Sequence, residues 1–347
     1  MKNFVTTFLF VLALATTLTG QAQTIRRVNN SGAAPAGVNI YTTLQAAHDA
    51  ASANDIIYLE PTSISYGNLV CIRPLTIIGN GYFLGQNPGL QLDNREAWIG
   101  DIFFNAGSSG SRITGCVIQS NYLAILTSNI ALERNRISVA INIGYNPQTG
   151  VTTTVSNVLL RQNYVTAGIT MITSGASTIT GVLISNNIIT SNITGVAPNI
   201  GNVLISSNVI GDLVGNYTGN MLNVDNAVIK NNIMTYSGPN LTFTPRNNAY
   251  SNNIGGGSQF GTANGNQQNI TPSAIFVGGT ASTDGAFQLR TASPALGTGE
   301  GGIDVGAFGG ATPYRIAGIP NVPTIYQYGQ AVSGNTLNAT MSTRSNN

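Results

Sequence analysis

Residues 181–190 read GVLISNNIIT, and this phrase returns along the chain as NIALERNRIS (129–138), NVLLRQNYVT (157–166), NVLISSNVIG (202–211), NAVIKNNIMT (226–235) and a decayed NNAYSNNIGG (247–256). Each copy has apolar residues, two polar residues, an asparagine and a further apolar step. The shared anchor positions are Asn135, Asn163, Asn187, Asn208, Asn232 and Asn253, at intervals of 28, 24, 21, 24 and 21 residues. A period in the low twenties that drifts in length is typical of a solenoid whose turns vary while its strands stay in register.

Two solenoid folds share this period, because leucine-rich repeats also run 20–29 residues with a recurring asparagine. Here Val, Ile and Leu alternate freely at the apolar positions, and no helical periodicity lies between the anchors. Short β-branched runs bounded by Gly, Asn, Ser and Thr favour coils built only of parallel strands. The sequence therefore predicts an all-β, right-handed parallel β-helix of roughly ten coils.

The repeated asparagine suggests a structural ladder. Asn adopts a left-handed backbone conformation at low cost, and its amide both donates and accepts hydrogen bonds. Asparagines stacked about 4.8 Å apart can satisfy one another and the turn backbone. The alternative is that Asn only marks a solvated turn, which leaves the fold unchanged but turns the side chains outwards.

Both ends of such a rod need a cover, because open sheet edges promote association. At the N-terminal end, TTLQAAHDAAS at residues 42–52 predicts an amphipathic capping helix with Thr42 or Thr43 as N-cap. The only histidine, His48, lies on it, where a surface or half-buried structural role is expected. The glycine-rich run SPALGTGEGGIDVGAFGG at 293–310 ends the coils, with Asp304 expected to cap backbone N–H groups.

These end phrases, with NDIIYLEP after the helix, PLTIIGNGYFLG and the asparagine phrase, resemble the pectin lyase-like superfamily of secreted β-helix proteins, and most closely its members of the Bacteroidetes type. The resemblance covers residues 24–316. It implies a fold but no single function, since that superfamily includes polysaccharide lyases, glycoside hydrolases and adhesins.

The first 23 residues carry Lys2, the apolar stretch 4–18 and a small-residue site ending in Gln23, as in a secretory signal. We therefore expect residues 1–23 to be a signal peptide, 24–316 the β-helix and 317–347 a C-terminal tail, packed on the rod as one edge strand or disordered. No later stretch is long enough to span a membrane. Cys71 and Cys116 lie in apolar strands, where buried free thiols are favoured over a disulfide.

Charged residues make up only 7% of the chain, with 14 Lys and Arg against 12 Asp and Glu. The basic residues are scattered, which argues against a nucleic-acid partner. Between residues 140 and 289 the carboxylates are Asp212, Asp225 and Asp284, and the first two fall at different corners of the repeat. A single histidine excludes histidine triads and multi-histidine metal sites, and the sequence predicts no metal site.

One dense polar stretch remains, DNREAWIGD at residues 93–101. Its candidate catalytic residues are Asp93, Arg95, Glu96 and Asp101, because hydrolases of this kind use carboxylates about 5–10 Å apart. Trp98 beside them suits stacking on a sugar ring. The alternative is a solvated corner, with Trp98 filling the N-terminal part of the core.

Three functions stay open. The first is a secreted, monomeric, non-catalytic β-helix that binds polysaccharide or cell-surface glycan without a cofactor, as in an adhesin-like or envelope-associated protein. The second is a polysaccharide lyase or glycoside hydrolase using the 93–101 stretch, with calcium as cofactor only if it is a lyase. The third is an ice- or crystal-binding rod, which VTTTV at 151–155 suggests although threonine does not recur at one coil position.

Overall fold

The computed structural model describes residues 23–32, 37–215, 221–236, 247–279 and 281–346. Except for Gln23, the predicted signal peptide lies outside the described residues. Short strands account for most of the regular structure that follows.

The strands, in chain order, are β1 (Ile25–Val28), β2 (Ile40–Tyr41), β3 (Ile56–Leu59), β4 (Leu69–Cys71), β5 (Thr76–Ile78), β6 (Trp98–Ile99), β7 (Ile102–Phe104), β8 (Arg112–Thr114), β9 (Val117–Ile118), β10 (Leu123–Ile125), β11 (Ala131–Glu133), β12 (Arg136–Ile137), β13 (Ile141–Ile143), β14 (Val155–Arg161), β15 (Tyr164–Val165), β16 (Ile169–Met171), β17 (Ile179–Ser185), β18 (Ile188–Ile189), β19 (Ile193–Gly195), β20 (Ile200–Ser206), β21 (Val209–Ile210), β22 (Leu222–Val224), β23 (Ala227–Lys230), β24 (Ile233–Met234), β25 (Ala249–Ser251), β26 (Ile254–Gly255), β27 (Thr324–Ser333) and β28 (Thr336–Arg344). The α-helices are α1 (Leu44–Ala50) and α2 (Pro272–Ile275), and single 3₁₀ turns lie at Leu84–Gln86, Ala263–Gly265, Gly285–Phe287, Glu300–Gly302 and Ile316–Gly318.

Three all-parallel sheets run side by side along the molecule. Sheet 1 has eleven strands in the order β2-β1-β3-β5-β8-β11-β14-β17-β20-β23-β25, sheet 2 has seven in the order β22-β19-β16-β13-β10-β7-β4, and sheet 3 has eight in the order β26-β24-β21-β18-β15-β12-β9-β6. The chain visits sheets 1, 3 and 2 in turn and then begins the next coil. This confirms the predicted all-β parallel β-helix, and ten strands follow β2 in sheet 1, as expected for about ten coils.

Rows of aliphatic side chains, one from each coil, fill the interior. One row in sheet 1 contains Ile113, Leu132, Leu160, Ile184, Ile205 and Ile229, which pair in register and are all buried. Because parallel strands lie about 4.8 Å apart, each side chain packs directly on its equivalent above and below. The β-branched repeat of the sequence is thus explained by a core in which every coil contributes the same kind of layer.

A second apolar cluster lies outside the coils, on the outer surface of sheet 3. Ile188, Val209, Ile233 and Ile254 point outwards there and are nevertheless buried. Their cover comes from the C-terminal segment and includes Ile275, Phe276, Phe287, Ala295, Val305, Ala307 and Tyr314. The glycine-rich run therefore lies along the side of the rod, and its close packing needs small residues.

Helix α1 is shorter than the predicted 42–52 and begins after Thr43, whose side chain accepts a hydrogen bond from the Ala46 N–H at 3.2 Å. It contacts β1 to β4, with Leu44 and Ala47 buried. Its role as a cap stays a prediction. His48 is fully buried, so the expected surface or half-buried position is wrong: Nε2 accepts from the Ile72 N–H at 3.1 Å, which ties the helix to the next coil.

The C-terminal tail differs from its prediction of a single edge strand or disorder. β27 and β28 pair antiparallel as a hairpin, because Gly334 at a φ of 62° permits the tight reversal between them. The Leu92 N–H donates to the Ile325 carbonyl at 2.9 Å and anchors the hairpin base. Within the described ranges, no helix is long and apolar enough to cross a membrane.

Candidate functional site

The six anchor asparagines form one continuous, fully buried stack. In each step, Oδ1 of one asparagine accepts from the backbone N–H and from Nδ2 of the asparagine in the preceding coil. Asn187 Oδ1, for example, lies 2.8 Å from the Asn163 backbone nitrogen and 3.0 Å from Asn163 Nδ2. The remaining amide proton goes to a backbone carbonyl, as from Asn187 to Leu160 at 2.8 Å. The side chains point inwards, so a merely solvated turn does not describe them.

The ladder continues beyond the repeated phrase at its C-terminal end. Asn266 Oδ1 accepts from the Asn253 backbone nitrogen at 2.8 Å and from Asn253 Nδ2 at 3.1 Å, although only 13 residues separate them. At the other end, Cys116 occupies the equivalent position and donates its backbone N–H to Asn135 Oδ1 at 3.0 Å. Both Cys116 and Cys71 are buried and free, as favoured from sequence.

The expectation that the anchor asparagines adopt the left-handed backbone conformation is wrong. The anchors do not have positive φ; the residue before each anchor does, namely Arg134, Gln162, Asn186, Ser207, Asn231 and Asn252. The physical reason is that the ladder itself holds the turn, so the strained residue need not be an asparagine. A second left-handed series opens each phrase, at Asn129, Asn157, Gly181, Asn202, Asn226 and Asn247.

The carboxylates of the 93–101 stretch each have a different partner. Asp93 pairs with the neighbouring Arg95, whose hydrogen bonds lower the pKa of Asp93. Asp101 is buried and accepts from the Asn121 and Tyr122 N–H groups at 2.8 and 3.0 Å. Burial alone would raise the pKa of Asp101, but these hydrogen bonds outweigh it and lower the pKa. Both carboxylates therefore have structural partners already.

Glu96 differs, because it lines a cleft. Its Oε1 accepts from the Phe83 N–H at 2.6 Å, and its Oε2 lies 3.6 Å from Arg136 Nη1. Phe83 has a φ of 52°, a strained conformation for an aromatic residue, and strain of this kind concentrates at functional sites. The cleft has a volume of about 550 Å³ and is called here the Glu96 cleft; it is lined by Phe83, Gly85, Gln86, Glu96, Arg136, Tyr164, Thr166 and Thr283.

Aromatic rings and a guanidinium form the floor of this cleft. The Phe83 and Tyr164 rings meet edge to face with centroids 5.1 Å apart, and the Arg136 guanidinium carbon lies 4.8 Å from the Phe83 centroid. Arg136 Nε is buried without a hydrogen-bond partner in the described part of the chain. Burial raises the pKa of Tyr164 to about 12, so its hydroxyl stays neutral. Gln86, Thr166 and Thr283 add exposed neutral groups around the rim.

Trp98 lies in the outward row of sheet 3 that also holds Val117, Arg136 and Tyr164. Its side chain is 38% exposed, and the next residue, Ile99, is the one that points into the core. The alternative that Trp98 fills the core is therefore wrong. Two strand spacings, about 10 Å, separate its position from Arg136, so it stands in the same row as the cleft but does not line it.

Sequence reasoning missed Phe83, Arg136 and Tyr164, yet a signal for two of them exists. The residue after each anchor asparagine points outwards from sheet 3: it is Ile188, Val209, Ile233 or Ile254 in the later coils, and Arg136 or Tyr164 in the earlier ones. Apolar side chains at that position must be buried, and the C-terminal segment buries them. Arg136 and Tyr164 at the same position mark the coils where the cleft lies.

The other predicted polar residues lie apart from the cleft. Asp212 follows β21 of sheet 3 and Asp225 follows β22 of sheet 2, so they do occupy different corners. Asp304 accepts from the Gly297 N–H at 2.8 Å, and Glu300 pairs with Lys230. Among the described residues, no group of three or more His, Cys, Asp or Glu side chains is placed to hold a metal ion.

Two further surfaces differ from the Glu96 cleft. A cavity of about 790 Å³ is lined mainly by apolar residues, and the charged residue of its described lining, Arg290, donates to the Ser273 carbonyl. The outer face of sheet 2 carries Asn142, Thr170, Thr194 and Asn223 in one row, a flat neutral strip in which threonine fills only two adjacent positions. Neither surface brings unlike polar groups together as the Glu96 cleft does.

Comparisons with models of protein families, with curated proteins and with solved structures found no match to this chain. The chemistry open to the Glu96 cleft follows from its own residues. The cleft holds one carboxylate, that of Glu96, which accepts a hydrogen bond from the Phe83 N–H and lies beside the Arg136 guanidinium. Its other polar lining groups are neutral donors and acceptors. Such an arrangement suits binding of a neutral, hydroxyl-rich ligand better than acid–base chemistry, which needs a second group positioned to exchange protons.

Proposed function

We propose that this chain is a secreted, non-catalytic β-helix protein of the pectin lyase-like superfamily that binds carbohydrate in the Glu96 cleft. The family assignment rests on the end phrases and the asparagine phrase, and secretion rests on the N-terminal segment. The observation that carries the binding proposal is the pairing of Glu96 with Arg136 over an aromatic floor. Their charges balance, so the cleft favours neutral hydroxyl groups over ions.

Sugar hydroxyls match these side chains because each hydroxyl both donates and accepts hydrogen bonds. One hydroxyl can donate to Glu96 Oε2, and another can accept from the part of the Arg136 guanidinium that is exposed, since this side chain is 28% accessible. The apolar faces of sugar rings suit the Phe83 and Tyr164 rings of the floor.

A lyase or hydrolase would need more than the cleft contains. Retaining and inverting glycosidases use two carboxyl groups, and a calcium-assisted lyase needs several carboxylates around the metal. Asp93 and Asp101 hydrogen-bond elsewhere, which leaves Glu96 alone. The 93–101 stretch therefore does not offer the converging carboxylates that a calcium ion would need in the lyase alternative.

The test combines a glycan array with assays for unsaturated products and for reducing sugars, all on the mature protein. We expect binding without product formation. Arg136→Gln should weaken that binding at least tenfold, since a hydrogen bond to a charged group is worth about 1.5–3 kcal/mol. Thr166→Ala should weaken it about threefold, since a neutral hydrogen bond is worth about 0.5–1.5 kcal/mol. Gln148→Ala and Thr149→Ala change exposed residues that do not line the cleft, and these matched controls should bind as the parent does.

Product formation that disappears in Glu96→Gln would replace this proposal with an enzyme. The glutamine retains an oxygen to accept from the Phe83 N–H, so this variant removes the acid while preserving the turn. An array without any bound glycan, or binding that is unchanged in Arg136→Gln and Thr166→Ala, would show that the cleft is not a carbohydrate site.

A further inference from the structure

Three arginines line a second cavity, which has a volume of about 400 Å³ and lies where the base of the β27–β28 hairpin meets the C-terminal segment. They are Arg134, Arg315 and Arg344, from parts of the chain far apart in sequence. None of the residues that line this arginine pocket, all within the described ranges, is Asp or Glu. The other described lining residues are apolar or neutral, among them Tyr314 and Gln288.

Arg134 is buried and held only by neutral acceptors. Its Nε donates to Gln162 Oε1 at 2.9 Å, and its Nη1 donates to the Ile319 carbonyl at 2.9 Å and to Asn321 Oδ1. Burial and the nearby charge of Arg315 lower the pKa of Arg134 to about 10. A positive charge in this position is thus destabilised by its surroundings, and an anion in the pocket would relieve that cost.

Arg344 is positioned in the same way. Its Nη2 donates to the Gly89 carbonyl at 2.9 Å, and its guanidinium carbon lies 4.5 Å from the Tyr326 ring centroid. These two contacts fix the plane of the guanidinium. Both partners are neutral.

Glu133 precedes Arg134 in the chain and pairs with Arg112 and Arg161. Asp284 contacts the lining residue Tyr314 and has hydrogen-bond partners at both of its oxygens. Its Oδ1 accepts from the Ser282 hydroxyl at 3.1 Å and the Gly285 N–H at 3.0 Å. Its Oδ2 accepts from the Tyr314 hydroxyl at 3.3 Å and the Ala317 N–H at 2.6 Å. The Asp284 carboxylate is buried and does not line the pocket.

We propose that the arginine pocket binds an oxyanion, a sulfate, phosphate or carboxylate group. Planar guanidinium groups bind such groups through paired, charge-assisted hydrogen bonds. The anion has two possible sources, an acidic group on a glycan or a free inorganic ion. This proposal is independent of the carbohydrate proposal, because the arginine pocket and the Glu96 cleft share no lining residue.

The test is calorimetric titration of the full mature chain with sodium sulfate, with sodium phosphate and with chondroitin sulfate oligosaccharides, at one ionic strength set with sodium chloride. We expect saturable sulfate binding. Arg315→Gln and Arg344→Gln should each weaken it at least tenfold. Arg290→Gln removes one exposed positive charge that does not line the pocket and should bind sulfate within twofold of the parent.

Arg134 is left unchanged, because it holds the C-terminal segment in place and its loss would confuse folding with binding. Oligosaccharide binding at least tenfold tighter than sulfate, and competitive with it, would identify a glycan as the source; equal affinities would identify a free anion. Absence of saturable binding by all three probes overturns the proposal, as does binding that is unaffected in Arg315→Gln and Arg344→Gln. Arg136→Gln should leave sulfate binding intact, which separates this result from the test of the Glu96 cleft.

Discussion

Replacing Asn187 with leucine tests the ladder most directly. The side chains have similar shapes, but leucine carries no hydrogen-bonding groups. Asn187 Oδ1 accepts two bonds from Asn163, and its Nδ2 donates to the Leu160 carbonyl and to Asn208 Oδ1. The substitution therefore leaves two buried N–H donors of Asn163 without a partner and removes one bond each from the Leu160 carbonyl and from Asn208 Oδ1, which still accepts from the Asn187 backbone N–H. At about 1–3 kcal/mol per unsatisfied buried group, the donors alone predict a loss of about 2–6 kcal/mol of unfolding free energy.

The measurement is guanidinium-induced unfolding followed by circular dichroism, with the slope of the transition checked in both proteins. Asn121→Leu is the matched control, because that asparagine is exposed and its Nδ2 contacts only Ser120. Its unfolding free energy should change by less than about 0.5 kcal/mol, as is usual at the surface. If Asn187→Leu changes stability no more than Asn121→Leu does, the ladder does not stabilise the fold and the reasoning fails.

Three other outcomes are expected. Asp284→Asn should lower the unfolding free energy by about 2–4 kcal/mol, because a buried carboxylate that accepts several hydrogen bonds, including one from Tyr314, is lost. Asp55 should stabilise the fold above its ordinary pKa and cease to do so as pH falls through its lowered native pKa, since hydrogen bonds outweigh the burial that opposes its charge. Cys71 and Cys116 should resist thiol reagents in the native protein and react after unfolding, because burial raises the pKa of each thiol.

Each of these has a contrary result. Faster proteolysis of the C-terminal segment should accompany Asp284→Asn, and unchanged proteolysis would contradict the account of its contacts. Asp55→Asn should flatten the acid limb of the stability profile, whereas an unchanged limb would assign the titration to other groups. Native thiols that react as fast as those of the unfolded chain would show that the interior is open to solvent.

The two proposed sites differ in how far sequence could reach them. Glu96 belongs to the dense polar stretch at residues 93–101, which the sequence predicted as a candidate site. Asp93 and Asp101 were equally good candidates in the sequence, but their carboxylates accept hydrogen bonds from Arg95 and from Asn121. Phe83 and Arg136 complete the cleft from 13 residues before Glu96 and 40 residues after it. The variable length of the coils prevents such distances from being translated into contacts.

The arginine pocket had no sequence signal at all. Its three arginines stand singly in the chain, at a turn beside the ladder, at the end of the cover and at the end of the hairpin. The tail was expected to be one edge strand, and its reversal at Gly334 brings Arg344 back to the body. A glycine can predict where a hairpin reverses. It cannot predict which surface of the protein the hairpin contacts.

By itself, the sequence determined the coil: the strands, the core rows and the spacing of the ladder. The reason is that each coil contacts mainly the coils before and after it, so one repeated phrase contains nearly all the information that its layer needs. Only the tertiary structure decided which side chains meet on the outside of sheet 3. The contacts there are made by the C-terminal segment, by Phe83 and by the hairpin base. Their partners lie far away in the sequence, with 255 residues between Arg344 and Gly89, and no periodicity relates them.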